Sequence, residues 1–167
     1  GFAPESIQVR PFSVVGVNVA EFTLQAEKYR FAGKAWEFAV AYAVLARANG
    51  DALAAMLTAL DGPYGTLLVG PYGVWATPKG ALGGTPVVDG ANQTGSTLAI
   101  RGASFTITNW LKAGDFIGLG SGSTARLYMN LQDASTDGAG KVTLDIWPSL
   151  RTSPADGASV VTSSPKC

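Results

Sequence analysis

The stretch DFIGLGSGSTARLYMNLQDASTDGAGKVTLDI, residues 115–146, decides the fold class. Asp115–Leu119 and Ala125–Leu131 are apolar-rich runs of strand length on either side of a Gly-Ser turn. Asp137-Gly138 and Gly140 mark the next reversal, after which Val142, Leu144 and Ile146 alternate with Thr143 and Asp145. Alternation at period two sets one face of a strand against a core. Asp-Gly supplies the backbone freedom that tight reversals need. Three strands this closely spaced predict an antiparallel β protein.

Reading outward, Thr97–Arg101 and Ser104–Thr108 form an expected strand pair about Gly102, Pro148 and Pro154 punctuate a loop, and Ser159–Thr162 is a last strand. Upstream, Thr66–Val69 and Val74–Thr77 read as strands about the turn Gly70-Pro71-Tyr72-Gly73, with Gly80–Gly84 as loop. Four Asp-Gly pairs begin at Asp61, Asp89, Asp137 and Asp156, the last three among strands. Regularly spaced short strands with such turns argue for a sandwich or barrel. Trp36, Phe38, Val40, Tyr42 and Val44 put every large side chain on one strand face, which a helix would scatter; the intervening alanines favour helix, and strand is the preferred reading. Phe22, Leu24 and Ala26 alternate with polar residues as a half-buried strand, with Gly33-Lys34 as the following turn. Pro11 inside Ile7–Val19 suits an arm or edge strand. One helix is expected, Asp51–Asp61, opened by Asn49-Gly50-Asp51, striped by Leu53, Met56, Leu57 and Leu60, and stopped by Gly62-Pro63. The fold class is therefore mainly β, an antiparallel sandwich or barrel with one short flanking α-helix. Residues 1–19 form an N-terminal arm or edge strand and residues 20–167 a single β domain.

Composition removes several function classes. Twelve basic and twelve acidic residues cancel, against a nucleic-acid binder. Without His there is no Ser-His-Asp or Cys-His pair and no His-ligated metal, and a single Cys, Cys167, supports neither an internal disulfide framework nor a zinc cluster. The longest apolar run, Phe38–Ala46, is far short of the roughly 20 residues of a spanning helix. The start, GFAPESIQVR, carries neither the basic opening nor the apolar core of a signal peptide, and a cytoplasmic origin is expected. Charged residues are 14% of the 167, against about 25% in ordinary soluble domains, which suggests a surface partly covered by other subunits. Gly62–Val88 carries one charge, Lys79, and holds Tyr64, Tyr72 and Trp75; it reads either as tight turns over the core or as a loop buried by a neighbouring subunit.

No catalytic, cofactor or metal residue is nominated. Gly118–Ser123 lacks the lysine and following helix of a phosphate loop and reads as a hairpin turn. Asp133, Asp137 and Asp145 lack Ca²⁺-loop spacing and read as solvated turn acids. Trp36 reads as core, Trp110 is ambiguous, and Trp36, Trp75, Trp110 and Trp147 together are candidates for a sugar platform or a base-stacking surface, the latter unsupported by interleaved cations. Cys167 reads as a frayed terminal thiol.

Three stretches resemble small tail proteins of long-tailed (siphovirus-type) bacteriophages and prophages: residues 36–71, WEFAVAYAVLARANGDALAAMLTALDGPYGTLLVGP; residues 84–102, GTPVVDGANQTGSTLAIRG; and residues 110–161, WLKAGDFIGLGSGSTARLYMNLQDASTDGAGKVTLDIWPSLRTSPADGASVV. The pattern covers about residues 20–165 and is similar to distal tail proteins. The resemblance implies a tail-tube-like β fold and a ring, expected to be a hexamer, with contacts to tail-tube protein above and hub or tip proteins below. It further implies tape-measure protein and DNA in the lumen, a place in the virion tail after assembly in the host cytoplasm, and a structural rather than enzymatic role. It carries no cofactor, no sequence-specific nucleic-acid binding and no membrane insertion. The alternatives are a tail-tube protein and a carbohydrate-binding β-sandwich module. The arm Gly1–Val19 is expected to order only in the assembly, and similar chains are expected to run a few residues past Cys167.

Overall fold

The structure is a computed structural model and describes residues 3–167; Gly1 and Phe2, the start of the expected arm, lie outside the described residues. The described residues are mainly β, with two antiparallel sheets and one α-helix. Strands β1 (Ser6–Val19) and β2 (Ala26–Ala41) form a two-stranded hairpin. After helix α1 (Arg47–Ala59) come six strands: β3 (Gly84–Val88), β4 (Gly95–Ala103), β5 (Phe116–Leu119), β6 (Arg126–Asn130), β7 (Val142–Leu150) and β8 (Val160–Val161). Their order is β3-β4-β7-β6-β5-β8. The two outer strands approach each other through the Val87–Ser159 bridge and Val88 N–H to Ala158 O at 2.9 Å, so the sheet nearly closes into a barrel.

Alternation builds the barrel interior. Leu98 and Ile100 of β4 face Leu144 and Val142 of β7 across the sheet, and all four are buried. Ile117, Tyr128, Ile146 and Val160 continue the same cluster. Trp110 and Leu111, in the connection before β5, are fully buried within it, and the Trp110 indole N–H donates to Gly83 O at 3.1 Å. Asp115 is buried as well, and its carboxylate accepts the backbone N–H groups of Lys79, Gly80 and Lys112 at 2.9–3.1 Å. A buried carboxylate survives only when fully hydrogen-bonded, and here it ties the loop before β3 to the barrel. The barrel seam is pinned by charge: Arg101 contacts Asp89 and Asp156, and Lys141 Nζ reaches Asp89 at 2.8 Å.

Several sequence expectations need correction. Gly33-Lys34 is no turn. It sits inside β2, where the pairing jumps from Ser13–Lys34 to Val15–Arg30, a bulge that places Gly33 under the Val14 side chain. The reversal is at Ala20–Gln25, so the expected strand through Phe22 and Leu24 is the hairpin tip. The helix begins four residues early, at Arg47, with Ala46 at its cap and no side-chain capping bond. Thr66–Val69 is irregular, Val74–Thr77 is largely a 3₁₀ turn, and Ser104–Thr108 is a series of turns rather than a strand. Pro148 lies within β7, buried and after a cis peptide bond, because the strand leaves β4 between Asp145 and Leu150 while still pairing with β6.

Candidate interaction surface

Among the described residues none from 3 to 70 is buried. Hairpin, helix and the following loop all lie outside the core. The helix stripe of Leu53, Met56, Leu57 and Leu60 exists, yet α1 buries no residue. Isolated hairpins and short helices are marginal in water, so these elements present surface rather than enclose a core.

The proximal half of the hairpin rests on the barrel. Ile7, Val9, Trp36 and Phe38 share one face by register and are each half-buried. Trp36 is the bolt: its indole N–H donates to Leu127 O at 2.8 Å, and its ring meets Trp147 edge-on at 4.4 Å and Phe116 at 5.5 Å between centroids. Beyond the bulge, Val15, Val17 and Val19 lie on the same face as Arg30 and Lys28, and Phe31 packs over Gly16 on the other. Both distal faces are open, with Val15, Val17, Tyr29 and Phe31 all exposed. Phe22 at the tip is 98% exposed and Leu24 78%.

The low-charge segment Gly62–Val88 divides. Its first part exposes Tyr64, Leu67, Leu68, Val74 and Trp75, while its last part is β3 of the barrel, with Val88 fully buried. Comparison with known protein families and with curated proteins finds no match for this chain. The surface must therefore be read from its own chemistry.

Midway along the hairpin, beside the bulge, lies a cavity of about 350 Å³, lined by Trp36, Leu127 and Tyr128 and by the cations Lys34, Arg126 and Arg151. Arg126 donates to Ser123 O and Ala125 O, and Arg151 donates to Lys34 O at 2.8 Å. Among the described residues no carboxylate lies within 4.0 Å of these three cations. Burial raises the Tyr128 phenol above its ordinary value, with Arg126 and Arg151 pulling the other way. Burial likewise raises the Cys167 thiol, opposed by Arg126. Cys167 also lines this cavity and is no frayed end: its backbone exchanges two hydrogen bonds with Val69, at 2.8 and 2.9 Å.

The remaining sequence candidates are dispersed. Trp110 belongs to the core, Trp36 and Trp147 engage each other at the hairpin junction instead of filling the core, and only Trp75 is exposed, at 57%. Asp137 closes its turn by accepting Ala139 and Lys141 N–H, which hold its carboxyl below the usual range, and Asp133 accepts Ala113 N–H at 2.9 Å. Asp145 is on β7, not in the turn. Among the described residues no group of three or more metal-ligating side chains converges. Gly120–Ala125 joins β5 to β6 as a hairpin connection containing a 3₁₀ turn. The cationic pocket escaped sequence reading because its members come from β2, β6, β7 and the C-terminus; only the absence of neighbouring acids in SGSTARLYMN, residues 121–130, hinted at it.

Proposed function

We propose that this chain is a structural subunit of the tail tip of a long-tailed bacteriophage. In this reading it is a distal tail protein whose copies form a ring, a hexamer, joining the tail tube to the hub or tip proteins. The ring holds open the channel occupied by tape-measure protein and then by DNA. The observation that carries this reading is the absence of any buried side chain from residue 3 to residue 70 beside a well-packed barrel. Exposed apolar surface on this scale marks interaction sites, and obligate assemblies bury about 2,000 Å² or more per interface. The resemblance of residues 36–71, 84–102 and 110–161 to tail-tip proteins and the low charge content support the same conclusion. The protein's role is then mechanical, with no bond-making chemistry.

The test is mass and symmetry. Light scattering and negative-stain imaging of the purified chain over a concentration series are expected to give closed rings of one size, alone or on addition of tail-tube protein. Open filaments would favour a tail-tube subunit. A chain that stays monomeric under all these conditions and binds glycans would favour the carbohydrate-binding module.

A further inference from the structure

We propose that the hairpin tip of one copy, Glu21–Leu24, seats in the cationic pocket beside the hairpin bulge of the next copy. This inference rests on the ring reading above and specifies its contact.

The two surfaces are complementary in charge and polarity. The tip itself, Ala20–Gln25, carries one charge, Glu21, while Glu27 in the adjoining strand accepts the Tyr29 hydroxyl beside Lys28. The tip presents Phe22 and Leu24 to solvent as nearly free side chains. The turn is organised before binding: Ala20 N–H donates to Gln25 O at 3.0 Å, Leu24 N–H donates to Ala20 O at 2.9 Å, and Leu24 holds a φ of 54°. Such a φ is uncommon for a bulky residue, and a preorganised tip loses less freedom on docking. The pocket offers the counterpart, an aromatic and apolar lining beside three cations with no acid to meet. Elsewhere the chain pairs its cations where acids are near, as at Arg101 and Lys141. Aromatic anchors in well-packed pockets dominate interface energetics, and complementary charge around them fixes register and partner choice.

The occupant is a second copy because the chain cannot fill its own pocket. Leu24 and Lys34 are ten residues apart along the strand β2 and its lead-in. At about 3.3 Å per residue the tip stands about 30 Å from its own pocket. A contact between a tip and the next copy's pocket is head-to-tail, and repeated it closes a ring or runs on as a filament.

Cys167, the only thiol in the chain, lines the pocket and gives the test. Full-length Thr23→Cys, treated with oxidant or a short bis-maleimide, is expected to give a ladder of cross-linked species ending at the ring size. The ladder should be absent from wild type and from Thr23→Cys/Cys167→Ser. Phe22→Ser/Leu24→Ser is expected to weaken association by about tenfold or more with an unchanged melting curve, since both side chains are solvent-exposed. Glu21→Arg and Arg151→Glu should each weaken assembly, and the pair should restore it. Rings that persist in Phe22→Ser/Leu24→Ser and show no 23–167 cross-link would overturn tip docking while leaving the ring proposal standing. Cross-linking that stops at dimers would overturn the head-to-tail arrangement. A chain that never assembles, alone or with tail-tube protein, would overturn both.

Discussion

Between Gly84 and Val161 every strand contributes side chains to one apolar interior, whereas between Ser6 and Gly70 a pair of long strands and a 13-residue helix contain no fully buried residue and only a minority of half-buried ones. Both regions use the same apolar residue types. They differ in closure. Strands β4 and β7 alternate buried with less buried residues, β5 is buried along its whole length, and the chain returns to meet its first barrel strand, so each apolar face finds a partner within the chain. The hairpin runs about 45 Å from base to tip and meets the barrel only through its proximal half, with Trp36 as the anchor. Apolar surface that costs free energy in the isolated chain becomes useful only when another molecule covers it.

The sharpest contrast comes from one aromatic in each region. Trp110→Ala, which empties a fully buried site and leaves Gly83 O with only its bond from Ser104 N–H, is expected to destabilise the barrel by about 3–5 kcal/mol, read by urea denaturation. Phe22→Ala is expected to leave the same transition within about 0.5 kcal/mol of wild type while impairing assembly. If the two cost the same in the free chain, the division between core and interaction surface is wrong.

Trp36→Ala should fall between them, at about 1–3 kcal/mol, since it removes a half-buried ring, two edge-on contacts and one hydrogen bond. Its diagnostic effect is local: amides of β1 and β2 are expected to exchange faster while those of β4 and β7 do not change. Acid should act on the barrel. Lys141 and Arg101 hold Asp89, and Arg101 holds Asp156, below the ordinary carboxylate range. Folded values lowered beneath unfolded ones near 3.9 mean stability fully present above about pH 4 and lost as pH falls through the folded values. Asp89→Asn/Asp156→Asn is therefore expected to flatten the acid limb of a melting-temperature profile below about pH 4. The smallest effect belongs to α1. Arg47 and Asp51 form an exposed pair at 3.6 Å, and Asp51→Ala should leave the melting curve unchanged, because exposed helix pairs contribute little.

The barrel was legible in sequence where local chemistry and global fold agree. Val142, Leu144 and Ile146 alternate, and Asp137-Gly138 turns where the chain turns. Reading failed where one signal had two meanings. Gly33 punctuates a strand by bulging it, whereas the true reversal at Glu21-Phe22-Thr23-Leu24 contains neither Gly nor Pro. Pro86 disguised β3, which lies at the barrel seam where a missing N–H is tolerated. Asn49 and Gly50 resemble a helix start but occupy the first turn of a helix already begun. The interaction surface showed only as missing charge in Gly62–Val88; the cationic pocket beside the hairpin bulge, assembled from distant segments, had no linear signature.

The most direct test of the central claim is hydrogen–deuterium exchange of the full chain, free and assembled. In the free chain the amides of Val15–Val19 and Ala26–Arg30 should exchange orders of magnitude faster than those of Leu98–Ile100 and Leu144–Ile146, and assembly should protect the hairpin and leave the barrel unchanged. Hairpin amides as protected as barrel amides in the free monomer would contradict the account.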